Sequence, residues 1–202
     1  MTGHPRSRIV AADDGATMVE LIVYTAVTVL VGTLLASVFL SSYQADAATR
    51  DREAATGAAH VFTNSIQTSV RNASGFHVDG TLLQARVSKG ASAWECRAWR
   101  LANPRVIGGQ TWYELQYNRG NAAITNASPG WKALVGEGEP QRPLVQGSPT
   151  PDKPFGGYAN LLTFNLKILI VDLAQPSLDG ASVEVRGEAL AQAKGGTSPT
   201  CW

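Results

Sequence analysis

The chain has two cysteines, Cys96 and Cys201, and three histidines, His4, His60 and His77, among 202 residues. So few exclude a disulfide-dense mini-scaffold and a cysteine-rich zinc module, and they argue against a histidine-built metal centre. An excess of one charge is missing too. Lys plus Arg is 17 and Asp plus Glu is 16, a formal net charge of +1. A chain so balanced carries no electrostatic footprint for nucleic acid. No proline lies between Pro5 and Pro104, so nothing there forbids one long helix. No charged residue lies between Leu21 and Ala45. The chain also lacks the nucleophile elbow, the paired-histidine zinc motif, the phosphate loop and the dinucleotide fingerprint. The expectation is a protein that is not an enzyme and needs neither cofactor nor metal.

What is present is uneven. Hydrophobic residues make up 44%, enough for a packed core, and the length suits one domain with an appendage. The uncharged run Leu21–Ala45 is long enough to cross a bilayer as a helix. Thr25, Thr28 and Thr33 do not spoil it, because a hydroxyl bonds a carbonyl one turn back. Before it lies a leader with Arg6 and Arg8. An ordinary secretory signal has that plan, and Ala45-Asp46-Ala47 offers a small-residue cleavage site. Two features oppose this reading. The run exceeds the usual 7–15 residues of a signal core, and Glu20 stands at its very start. A carboxylate at the edge of hydrocarbon is costly unless paired, which makes it a functional-site hypothesis. Cleavage after Gly15 would place a new α-amino group on Ala16, four residues before Glu20. A neighbouring chain's Glu20 could neutralise that amine.

The stretch Asp13-Asp14-Gly15-Ala16-Thr17-Met18-Val19-Glu20-Leu21, with its apolar run, resembles the prepilin signal of type IV pilins and type II secretion pseudopilins. The resemblance implies cleavage after Gly15 by a prepilin peptidase on the cytoplasmic side and methylation of Ala16. It implies that Glu20 guides packing into a filament. The implied partners are other pilin or pseudopilin subunits, the peptidase, an inner-membrane assembly platform and membrane lipid. Ala16 departs from the Phe usual in major pilins, and Asp13 and Asp14 replace a basic residue often found there. Arg6 and Arg8 before the run balance Arg50 and Arg52 after it, so a cytoplasmic N-terminus follows from the resemblance and not from charge.

Beyond Ala45 the pattern turns amphipathic. Ala55, Ala59, Phe62, Ile66 and Val70 recur at steps of three and four, opposite a polar side with Arg50, Asp51, Arg52 and Glu53. One helix from about Met18 to Asn72 is expected, roughly 80 Å long; an anchor plus a separate short helix uses the same residues. After Gly75 the period changes to two. Strands are expected at Phe76–Val78 and Leu82–Val87 around an Asp79-Gly80 turn, then at Trp94–Leu101, Thr111–Asn118, Trp131–Val135, Leu162–Ile170 and Val183–Ala189. The fold class is therefore α+β: a long N-terminal helix packed on a C-terminal antiparallel sheet. The expected organisation is a leader over 1–15, an apolar assembly half over 16–45, an amphipathic half over 46–73 and an extracytoplasmic sheet domain over 74–202. Six of the ten prolines fall between Pro129 and Pro154, and with several glycines they mark a loop over about 136–158. That loop is either a partner surface or a solvated connector. The order of tryptophan-bearing strands and the long late strand resemble the larger minor pilins of the PilW and J-type group.

Cys96 and Cys201 form an even pair in the part expected outside the membrane, where a disulfide is expected; two free thiols are the alternative. Trp94, Trp99, Trp112, Trp131 and Trp202 read first as core and second as a binding stripe. His60 and His77 read as ordinary polar residues. Asp172 and Asp179 flank a turn without the spacing of a calcium loop. The overall expectation is a minor pilin or pseudopilin, anchored by one span with its sheet domain outside. A membrane-anchored extracellular binding module is the rival, and a secreted enzyme ranks third.

Overall fold

The computed structural model describes residues 17–90, 93–138, 141–172, 182–194 and 199–202. Among the described residues a single helix, α1 (Met18–Arg71), precedes nine strands. They are β1 (Ala73–Asp79), β2 (Leu82–Ser88), β3 (Trp94–Ile107), β4 (Gln110–Gly120), β5 (Lys132–Ala133), β6 (Gln141–Gly147), β7 (Phe155–Tyr158), β8 (Leu161–Asp172) and β9 (Val183–Leu190). The architecture is α+β, one long helix and one antiparallel sheet.

Local chemistry explains the limits of α1. Thr17 is its N-cap: the Glu20 N–H donates to the Thr17 carbonyl at 2.9 Å and to Oγ1 at 3.3 Å. Glu20 in the first turn and Arg71 in the last complement the helix dipole. At the far end Asn72 closes the chain, its Nδ2 donating to the Thr68 carbonyl at 2.9 Å.

The chain divides into two compact units, Met1–Asp46 and Ala47–Trp202. In the first, every described residue is exposed, including Leu21, Ile22, Val29, Leu34 and Phe39. α1 is long and apolar enough there to cross a membrane. The hydroxyls are turned back onto the helix backbone. Thr25, Thr28, Thr33 and Ser37 each donate to a carbonyl three or four residues back, at 2.7–2.9 Å.

In the second unit the helix buries a single stripe: Ala55, Ala58, Ala59, Phe62, Ile66, Ser69 and Val70. These pack on one face of the sheet with Leu83, Ala85, Trp99, Leu101, Leu115, Leu162, Phe164, Leu166 and Ile168. Two polar rungs set the register. Trp99 Nε1 donates to Ser65 Oγ at 3.1 Å, and Arg97 Nη1 donates to Ser69 Oγ at 2.9 Å. Ser65 and Ser69 lie one helical turn apart, and Arg97 and Trp99 are same-face neighbours on a strand. Both donors are thereby satisfied in the interface.

The strand order is β1-β2-β3-β4-β6-β8-β7, with β5 added on β4 and β9 on β8. β6 takes Leu166–Asp172 of β8 and β7 takes Leu161–Phe164, while β9 pairs with Leu161–Ile168. Leu161–Phe164 thus has a neighbour on each side, and β9 is the outer strand. The Phe164 ring lies across its partner Gly187, where any Cβ would overlap it. β1 approaches β7, with Phe76 against Gly157.

Three local expectations are corrected. The two-residue turn is Gly80-Thr81, one step later than Asp79-Gly80, because Asp79 pairs with Leu82 and Gly80 takes the positive φ of 58°. β3 does not stop at Leu101. A bulge between Ala102 and Arg105 absorbs Asn103 and Pro104, and the strand runs on to a Gly108-Gly109 hairpin with φ of 55° and 75°. Most importantly, the proline-rich stretch over 136–158 is not one loop: it holds β6 and β7. Pro143 is tolerated because β6 meets β4 at one pair, Tyr113 with Val145, so most of that edge of β6 carries no ladder for proline to break.

Replacing Phe62, almost fully buried between helix and sheet, tests whether this stripe holds the second unit together. Phe62→Ala is expected to destabilise the detergent-solubilised chain by about 3–5 kcal/mol in urea unfolding.

Candidate functional site

The residues singled out by sequence fall in two places. Gly15 and Ala16 lie outside the described residues. Glu20 lies in the first turn of α1, exposed, with uncharged sequence after it for more than six turns. The spacing Thr17-x-x-Glu20 is that of a capping box, in which the glutamate reaches back to the N-cap N–H. The carboxylate points the other way. Among the described residues it accepts from the Tyr24 hydroxyl, at 3.1 Å on Oε1. Helical side chains lean toward the N-terminus, so Tyr24 reaches back over the turn that carries Glu20.

Cys96 and Cys201 are joined by a disulfide, with Cα atoms 5.3 Å apart and a sequence separation of 105. It fastens the tail to the sheet face opposite the helix, where both sulfurs are buried with Leu82, Ala98 and Ile124. Trp202 follows, 44% exposed, stacked on His77 at 6.2 Å with Arg86 over its ring at 5.7 Å. His60 is exposed on α1.

That outer face carries a polar network with little sequence signal. Glu114, Gln116 and Asn118 alternate along β4 and are nearly buried. Glu114 accepts from Asn103 Nδ2 at 2.6 Å, Gln116 Nε2 at 3.0 Å and Arg142 Nη1 at 3.1 Å. Gln116 Oε1 accepts from Arg100, whose guanidinium also donates to the Asn126 carbonyl and covers the Trp131 ring at 4.3 Å. Gln84 Nε2 donates to the carbonyls of Ile124 and Cys201, and Asn118 Nδ2 to that of Pro129. Sheet side chains thus hold the 121–131 segment by its backbone. The network is a fastening device, with no group aimed at a substrate. Asn103 contributes from the left-handed region, φ 51°, which asparagine tolerates.

The tryptophans divide. Trp99 and Trp112 are core, Trp131 is clamped under Arg100, and Trp202 is half covered. They form no continuous stripe. A groove of about 710 Å³ lies beside β7, β8 and β9, lined by Gln67, Lys153, Thr163, Asn165, Arg186 and Glu188. Its charges are of both signs. Nearby, Arg186 donates to the Glu184 carboxyl at 3.1 Å and, with the polar side chains of Asn165 and Ser148, holds it below its ordinary range. Among the described residues no three His, Cys, Asp or Glu gather to hold a metal. Asp172 ends β8, and Asp179 lies outside the described residues.

One carboxylate on the helix-facing side is electrostatically tuned. Burial pushes Glu95 up, but Arg97 at 2.6 Å and Lys89 at 3.4 Å outweigh it and leave the carboxyl below its ordinary value. Burial pushes the Tyr117 phenol up. No family model, curated protein or solved structure matches the chain.

Two outcomes follow. Changing both cysteines to serine, Cys96→Ser with Cys201→Ser, should lower stability by about 2–5 kcal/mol, read from urea midpoints under oxidising conditions. Glu95 titrates lower when folded, so its contribution is full above the ordinary value of 4.5 and fades as pH falls through the folded value. Glu95→Gln should therefore be less stable than wild type at pH 7, with the gap closing on acidification in parallel unfolding series.

Proposed function

We propose that the chain is a minor pilin or pseudopilin: a structural subunit of a type IV pilus-like filament, anchored and assembled through its N-terminal helix. The observation that carries the reading is the position of Glu20. It is a carboxylate in the first turn of a helix whose next 25 residues are uncharged, and whose apolar side chains there are exposed. In lipid such a helix is at home, and its carboxylate needs a cation at the same depth. The α-amino group of Ala16, freed by cleavage after Gly15, supplies one from a neighbouring copy. Apolar faces then pack helix against helix, and the charge pair sets their stagger.

The chemistry is assembly rather than turnover. Prepilin peptidase cuts after Gly15, the new Ala16 terminus is methylated, and an inner-membrane platform lifts the subunit out of the bilayer. The cytoplasmic N-terminus and the exported sheet domain follow from this order, and the disulfide fits an oxidising compartment. The size of the sheet domain, with its fastened 121–131 segment and stapled tail, favours a minor subunit over a major one. The rival reading, an anchored binding module presenting its tryptophans, draws less support, since Trp99 and Trp112 are core.

Intact mass and N-terminal sequencing of the protein from native membranes test the proposal. The expected mature chain begins at Ala16, heavier by about 14 Da if it carries one methyl group. A start at Met1, or after Ala47, overturns it. Glu20→Ala is expected to leave cleavage intact and to remove the subunit from filaments.

A further inference from the structure

Glu20 has two routes to a partner within its own chain. One is the capping-box route, back toward the N-cap and, after cleavage, toward its own α-amino group. The other is forward along the helix. Thr17 takes the N-cap role with its own oxygens, so the backbone N–H of Glu20 is already satisfied. The carboxylate goes forward to Tyr24, 3.1 Å from the hydroxyl. A bond to one oxygen leaves the second free to accept from elsewhere.

We propose that Tyr24 is a positioning residue for Glu20. Its hydroxyl holds the carboxylate away from its own chain's terminus and presents the remaining oxygen to a neighbouring subunit's amine. The inference rests on the proposed filament role and adds to it a reason why the charge pair forms between chains. Tyr24 also gives the carboxylate one donor while the subunit waits alone in the bilayer, where an unpartnered polar group is costly. Phenylalanine would fill the same volume with no donor. Tyr43, at the other end of the uncharged run and 23 positions along the helix from Glu20, is too far to reach that carboxylate and serves as the control.

The test uses the full chain expressed in its native membranes, with Tyr24→Phe, Tyr43→Phe and Glu20→Gln made separately, and Tyr24→Phe combined with Glu20→Gln. Cleavage and steady-state level are read first, then the fraction of subunit in sheared filaments. The purified mature chains in lipid are compared by infrared difference spectroscopy in the carboxyl region. Tyr24→Phe is expected to be cut and retained like wild type but assembled about threefold to tenfold less, the worth of one hydrogen bond. Tyr43→Phe should assemble normally. The carboxyl band should shift in Tyr24→Phe, and in the Glu20→Gln background the substitution should leave that region unchanged. An unshifted band, or a shifted band with normal assembly, overturns the positioning role. A wild-type chain that is not cut after Gly15 overturns the filament reading instead, and the infrared arm still reports whether the bond exists.

Discussion

One helix is asked to serve two surroundings, and the rest of the molecule follows from that demand. In its first half the side chains are largely apolar on all sides, the hydroxyls are turned inward onto carbonyls, and every described residue is exposed. In its second half apolar residues retreat to one stripe, from Ala55 to Val70, because a sheet covers one side and water the other. The change of surroundings is written as a change of pattern, without a break in the backbone. The carboxylate at the start of the apolar half stands in the first helical turn and has a donor one turn away.

The sheet is held from both faces by different means. Toward the helix, dispersion and apolar burial dominate, with Ser65 and Ser69 accepting the two donors the strand cannot otherwise satisfy. On the opposite face there is too little apolar surface for a second full layer. Arg100, Gln84 and Asn118 instead grip carbonyls of an irregular segment, Gln116 and Glu114 brace Arg100 from behind, and the disulfide fixes the tail beside them. A hydrogen-bonded network of this kind is stable only when every member is satisfied, which ties the position of the segment to the register of β3 and β4.

The sequence was most legible where periodicity was long. The helix, its buried stripe and the late strand β8 follow directly from spacings of three and four, and then of two. Ser69 escaped because a serine on an apolar stripe carries no signal until its strand partner is known. Local breakers misled the reading in two places. The strand expected to stop at Leu101 runs on through a bulge at Asn103-Pro104, and the prolines of 136–158 hid β6, whose edge toward β4 is nearly free of ladder bonds. The pairing of Cys96 with Cys201 was expected from parity and from a place outside the membrane. Glu20 stood out as a charge where none belongs, whereas Tyr24 looked like one more bulky residue. Its role depends on rotamer and direction, which spacing does not encode, although the i to i+4 relation was there to be noticed.

The bond between Cys96 and Cys201 spans every strand from β4 to β9. Synthesis runs from the N-terminus, so Cys96 is made 105 positions before its mate. The bridge can close only once all six of those strands have been made, and it acts as a latch on the domain rather than a guide to its first pairings. A chain halted short of its last residues would carry a lone thiol, open to disulfide exchange, and the completed one would not.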